Sequence, residues 1–166
     1  MKRFRSLIPP ILLVCMLLLP GCARQKPREI RGIDHLRFTY SCGMRISDQV
    51  VYTLDKTEEG YTATVKPQGV DPDEPLSVPV DDGFVQQVEE LLRSCRVEKW
   101  YRFQKRDRRI MDGIGFTLYL TQADGTKVDA VGYMRWPDGY GKVEVGLDSL
   151  FMGLWEASGR ELPEGY

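Results

Sequence analysis

Phe116-Thr117-Leu118-Tyr119-Leu120-Thr121 alternates apolar and polar side chains, and Asp124-Gly125 turns it into a second run from Lys127 to Tyr133. Alternation puts every second side chain on one face of an extended backbone, so each run reads as a half-buried strand. Asp-Gly between two such runs is the strongest hairpin signal in the chain, because glycine reaches positive φ without a steric penalty. A two-stranded hairpin is barely stable alone in water, so its apolar face must be covered. The residues that follow supply a cover. Val143, Leu147, Leu150, Phe151 and Leu154 keep helical spacing, and this helix ends near Ser158-Gly159. The tail from Arg160 to Tyr166 reads as frayed.

The same grammar runs upstream. Leu36, Phe38 and Tyr40 alternate with Arg37 and Thr39, as do Val50-Tyr52-Leu54 and Tyr61-Ala63-Val65 around Glu58-Glu59-Gly60. Gln68 to Pro75 is an acidic, proline-punctuated loop. Its Asp71, Asp73 and Glu74 lack the regular spacing of a calcium loop and read as solvated. Leu76 to Val80 is a short edge strand, because Pro79 cannot donate to a ladder. Asp81 or Asp82 then caps the clearest helix, whose stripe is Phe84, Val85, Val88, Leu91, Leu92 and Cys95. From Val97 to Arg109 aromatic and basic residues mix, with Trp100, Tyr101 and Phe103 among Lys99, Arg102, Lys105 and Arg106. This stretch reads as a connecting loop pinned by its rings, with its charges in water; the alternative is that rings and cations together meet sugars or a polyanion such as a phosphorylated envelope polymer. The expected fold is α+β: an antiparallel sheet of about four to six strands covered by two amphipathic helices, in the order ββ-α-ββ-α.

The N-terminus is of another kind. Lys2, Arg3 and Arg5 precede an uncharged apolar run from Leu7 to Leu19, too short to span a bilayer comfortably and interrupted by Pro9 and Pro10. It closes on Leu17-Leu18-Leu19-Pro20-Gly21-Cys22, which resembles the lipobox of bacterial lipoproteins. That resemblance implies removal of residues 1–21 as a signal peptide and attachment of lipid, palmitate among it, to Cys22. It also implies a protein of the cell envelope, anchored to a membrane and facing its extracytoplasmic side. Residues 22–32 would be the lipidated tether and residues 33–159 the single domain. The layout of the mature chain and the phrase Tyr133-Met134-Arg135-Trp136-Pro137 are similar to small uncharacterised lipoproteins of gut bacteria, a likeness that brings no activity with it.

Without residues 1–21, 145 of the 166 residues remain, enough for one sizeable core. The leader holds three of the 23 basic residues and none of the 24 acidic ones, so the net charge becomes −4. A mildly acidic, exported domain argues against a nucleic-acid partner. Cys42 and Cys95 remain as thiols, and either a disulfide closing their loop or two reduced cysteines fits an exported pair.

Catalytic signals are weak. His35 is the only histidine, and none of the seven serines sits in a Gly-x-Ser-x-Gly elbow. Asp112-Gly113-Ile114-Gly115 lacks the preceding strand and full glycine pattern of a dinucleotide loop. No Cys/His cluster suggests a metal, and no motif calls for a cofactor. The expectation is a non-enzymatic module that binds or scaffolds an envelope protein or a glycan. The alternative is an envelope hydrolase using a carboxylate pair that the sequence does not single out. For a ligand the candidates are Tyr133, Arg135, Trp136 and Tyr140, where flat rings and a planar cation share a turn-rich loop. The favoured reading of Trp136 itself is a ring folded back to plug one end of the core, and the stability cost of Trp136→Ala separates the two readings.

Overall fold

The computed structural model describes residues 29–41 and 49–161. The leader, Cys22 and Cys42 lie outside the described residues. The elements are β1 (Ile33–Ser41), β2 (Gln49–Thr57), β3 (Gly60–Lys66), β4 (Leu76–Val80), α1 (Asp82–Ser94), a 3-10 turn (Val97–Trp100), β5 (Phe103–Arg106), β6 (Gly115–Gln122), β7 (Lys127–Tyr133) and α2 (Tyr140–Ala157). One seven-stranded sheet results, ordered β4-β3-β2-β1-β6-β7-β5. The α+β class is as expected. The count exceeds four to six, and four strands precede α1 while three separate the helices, in place of ββ-α-ββ-α. The added strand is β5, read from sequence as loop, and it pairs parallel to β7, so the sheet is mixed rather than purely antiparallel.

β1 is the seam. It pairs antiparallel with β2 on one side and β6 on the other, so that Leu36 faces both Leu54 and Leu120. The two hairpins therefore fuse into one sheet with one apolar face. Leu36, Phe38, Tyr52, Leu54, Leu118 and Leu120 are fully buried there. Both helices lie on that face. α1 contributes Phe84, Val88 and Leu92, and α2 contributes Val143, Leu147 and Phe151. Each such side chain taken fully from water stabilises the fold by about 1.5–3 kcal/mol. Asp81 caps α1 by accepting the Phe84 N–H at 2.8 Å, and Arg93 complements the dipole in its last turn. α2 is fastened by Asp148 Oδ1, which accepts the hydroxyls of Tyr52 at 2.6 Å and Tyr40 at 3.1 Å. The stacked rings of Tyr52 and Phe151, 4.9 Å apart, lie beside that fastening. The other face of the sheet carries polar side chains, as antiparallel strands allow. There His35 Nδ1 is paired with Asp55 Oδ1 at 2.5 Å, with no serine or cysteine between them.

The hairpin turn forms at Asp124-Gly125, with Gly125 at φ 79° and Asp124 Oδ1 accepting the Thr126 N–H at 2.8 Å. Two boundaries move outward. Ile30, placed in the tether by the sequence, is 0% exposed and belongs to the core. Beside it Gly32 N–H donates to Glu89 Oε1 at 2.7 Å, and Arg31 N–H donates to Gln122 Oε1 at 2.6 Å. At the other end Arg160 donates to the Glu74 carbonyl at 3.2 Å, so the tail is held over its first residues. Cys95 packs half-buried just beyond α1, with no disulfide among the described residues. Among the described residues no helix is long and apolar enough to cross a membrane.

Candidate functional site

The three tryptophans sort themselves by exposure. Trp100 is 2% exposed and donates its indole N–H to the Asp138 carbonyl at 3.0 Å. Trp155 is 3% exposed and donates to the Glu161 carbonyl at 3.3 Å. Both are core residues with satisfied donors. Trp136 is 38% exposed.

Local backbone chemistry puts Trp136 where it is. A Cβ on Gly132 would come within 2.3 Å of the Phe116 ring and 2.2 Å of the Arg135 carbonyl oxygen, so only glycine lets the chain fold back over Phe116. Met134 then turns in the left-handed region at φ 52°, and its N–H donates to the Ile114 carbonyl at 3.0 Å. The inner face of the Trp136 ring stacks on Tyr140 at 4.6 Å, and Tyr140 lies 4.6 Å from Phe116. Aromatic pairs of this kind add about 0.5–1.5 kcal/mol beyond burial. Trp136 is thus neither a buried plug nor a free surface ring. One face is seated on the core and the other is open.

Around that open face cations outnumber the one carboxylate, Asp138. A groove of about 580 Å³ runs from the end of α1 to the first turn of α2, and Arg96, Lys99, Lys105 and Lys142 line it beside Phe103 and Trp136. On the far side of Trp136 a second concavity of about 610 Å³ carries Arg106, Arg108 and Arg135. Beneath it Asp107 accepts Arg109 through both carboxylate oxygens, at 3.1 and 3.0 Å, and Arg135 at 3.1 Å. The hydrogen bonds from Arg109, side chain first and then backbone, hold the Asp107 carboxyl far below the usual carboxylate range, with the charge of Arg135 adding to them. Two guanidiniums share one carboxylate, so a positive charge is left over. Of the non-glycine residues at positive φ among the described residues, Arg96 lines the groove, and Arg102 and Met134 directly precede Phe103 and Arg135 in the chain. Such conformations cost roughly 1–2 kcal/mol per residue and gather where function requires them.

Of the four residues singled out from sequence, Trp136 and Arg135 reach this surface. Tyr140 does not. It is 8% exposed beneath Trp136, with its hydroxyl donated to Glu144 Oε1 at 3.1 Å, and it serves as the seat of the stack. Tyr133 alternates to the other face of the sheet, where its hydroxyl donates to the Met111 carbonyl at 2.6 Å and the Arg106 guanidinium sits 4.9 Å over its ring. Phe103 and Lys105, read from the sequence as part of a basic and aromatic connecting loop rather than of the ligand set, also line the groove, where strand β5 places them. The interleaving of rings and cations was the signal for them, and the four-residue alternation of β5 was too short to separate from loop.

Glu144 and Asp148 lie one turn apart on α2, half-buried. Burial pushes the Glu144 carboxyl up, against the Tyr140 hydrogen bond, which lowers it. Both carboxylates accept tyrosine hydroxyls. Among the described residues no three His, Cys, Asp or Glu side chains come together as a metal site would require. Compared with protein families, with known proteins and with solved structures, the chain matches none of them.

Proposed function

We propose that the chain is a lipoprotein of the cell envelope, anchored through lipid on Cys22, whose single domain binds or scaffolds an envelope component without chemistry of its own. The observation that carries the binding half is Trp136, an indole seated on a core stack with its outer face open between cationic walls. The anchoring half rests on Leu17 to Cys22. Because Ile30 is inside the core, only seven residues lie between it and Cys22, a reach over the eight steps of about 28 Å when extended. The domain would stay against its membrane. An envelope hydrolase is the weaker reading, since Asp148 Oδ1 accepts Tyr52 and Tyr40, fastening helix to sheet, and Glu144 Oε1 accepts Tyr140 within the helix. Cys22→Ser tests the anchor: the variant should take up no labelled fatty acid and should leave the membrane fraction. If it still pellets with membranes after a high-salt wash, the anchor reading fails.

A further inference from the structure

The two concavities beside Trp136 are one track, because Trp136 and Lys105 line both. The first has Asp138 as its only carboxylate and the second has none. Between Arg93 and Arg109 stand eight basic residues against Glu98 and Asp107, in a chain of net charge −1. Like charges gathered in concave walls repel one another and focus their field on whatever enters. Lys142 deepens the imbalance. The first turn of a helix favours acids, yet α2 has none there. The fold therefore retains an arrangement that an anion would relieve.

We infer that this track binds a polyanionic glycan, a run of sugar rings bearing carboxylate or phosphate groups. The inference rests on the binding role proposed above and names the class of ligand. The hydrogen-rich face of a sugar ring suits the open face of Trp136, while anions on neighbouring rings meet Lys105 on one side and Arg106 or Arg108 on the other. A small anion would fill one concavity and leave the second unused. An uncharged glycan would use the indole and none of the cations. A bilayer is broad and flat, and it cannot follow the walls of a groove.

Tryptophan fluorescence of the full chain should report the choice during titration with four probes. These are galacturonate oligomers, phosphodiester-linked sugar oligomers, uncharged galactose oligomers and phosphatidylglycerol vesicles. At least one of the charged oligomers should bind, with affinity falling as salt rises. Lys105→Glu should weaken that binding by at least about tenfold, and Trp136→Ala should remove the fluorescence response. Lys56→Glu, exposed on β2 away from the track, should leave binding unchanged. Equal binding of the uncharged oligomer, lost in Trp136→Ala, would overturn the anionic ligand and leave the binding role standing. Vesicle binding that Lys105→Glu abolishes, with neither charged oligomer bound, would give the face to the membrane instead. No response to any probe would overturn both the ligand class and Trp136 as a binding residue.

Discussion

Trp155 and Trp136 belong to opposite ends of one arrangement, and α2 connects them. Trp155, on its last turns, is sealed: its N–H is bonded to the Glu161 carbonyl and the Arg160 guanidinium sits 5.3 Å over its ring. Trp136, stacked against its first residue, is open. The surroundings differ in sign. Near Trp155 a concavity of about 870 Å³ is lined by Asp71, Asp73 and Glu74. That acidic loop largely serves itself, with Asp71 Oδ1 accepting the Asp73 N–H at 2.9 Å and Asp71 O accepting the Glu74 N–H at 3.0 Å. The neighbouring edge strand β4 is defended by Pro79, which cannot donate to an added strand. The opposite edge, β5, is defended by Lys105 and Arg106, which among the described residues lie over the rings of Phe103 and Tyr133 rather than beside carboxylates. An edge strand needs only to be unattractive to another strand, and either device achieves that. Surrounding a half-open indole with cations goes further than edge protection requires.

The contrast predicts unequal costs of truncation. Trp155→Ala should lower stability by about 3–5 kcal/mol, as for any large core aromatic. Gly132→Ala follows, at about 3 kcal/mol, because the new methyl meets the Phe116 ring and a carbonyl oxygen that cannot both move away. Trp136→Ala should cost about 2 kcal/mol, the burial of one ring face and its stack on Tyr140. Urea melts of the three variants beside the parent check the order. If Trp136→Ala proves as costly as Trp155→Ala, the open end is a core plug after all and the comparison breaks.

Much of this was legible in the residues, for identifiable reasons. β1, β2, β3, β6 and β7 alternate over seven to nine positions, long enough for period two to stand out. α1 announces itself by Asp81 and a continuous apolar stripe. What the residues hid was whatever depends on distant partners. β5 is four residues long, half-buried only at Phe103, and its parallel partner β7 is separated from it in sequence by β6. Ile30 stands alone among Arg28, Glu29, Arg31 and Gly32, so no periodicity marks it as core. The site was half legible for the same reason. Trp136 and Arg135 are neighbours in sequence, whereas Lys105 and Lys142 meet them only through the sheet edge and the start of α2.

The smallest effects sharpen the comparison most, because two carboxylates respond to acid in opposite senses. Asp107, at the basic edge, has a folded pKa held far below the roughly 3.9 of an unfolded aspartate. Its contribution is therefore complete above that value and is lost as pH falls below it. Glu144, on α2, has a folded pKa raised by burial above the roughly 4.3 of an unfolded glutamate. Its ionisation opposes folding, so its neutral form favours the fold at low pH and that advantage disappears as pH rises through the folded pKa. Asp107→Asn should therefore destabilise the chain most at pH 7 and somewhat less at pH 3, where the unfolded carboxyl is largely protonated while the folded one stays ionised. Glu144→Gln should be neutral or slightly stabilising at pH 7, because its amide oxygen still accepts the Tyr140 hydroxyl. Urea melts of both variants at the two pH values measure the pair. Equal losses for Asp107→Asn at pH 3 and pH 7 would show that Arg109 and Arg135 need the shape of that side chain rather than its charge, and the electrostatic account of the basic edge would fall with it.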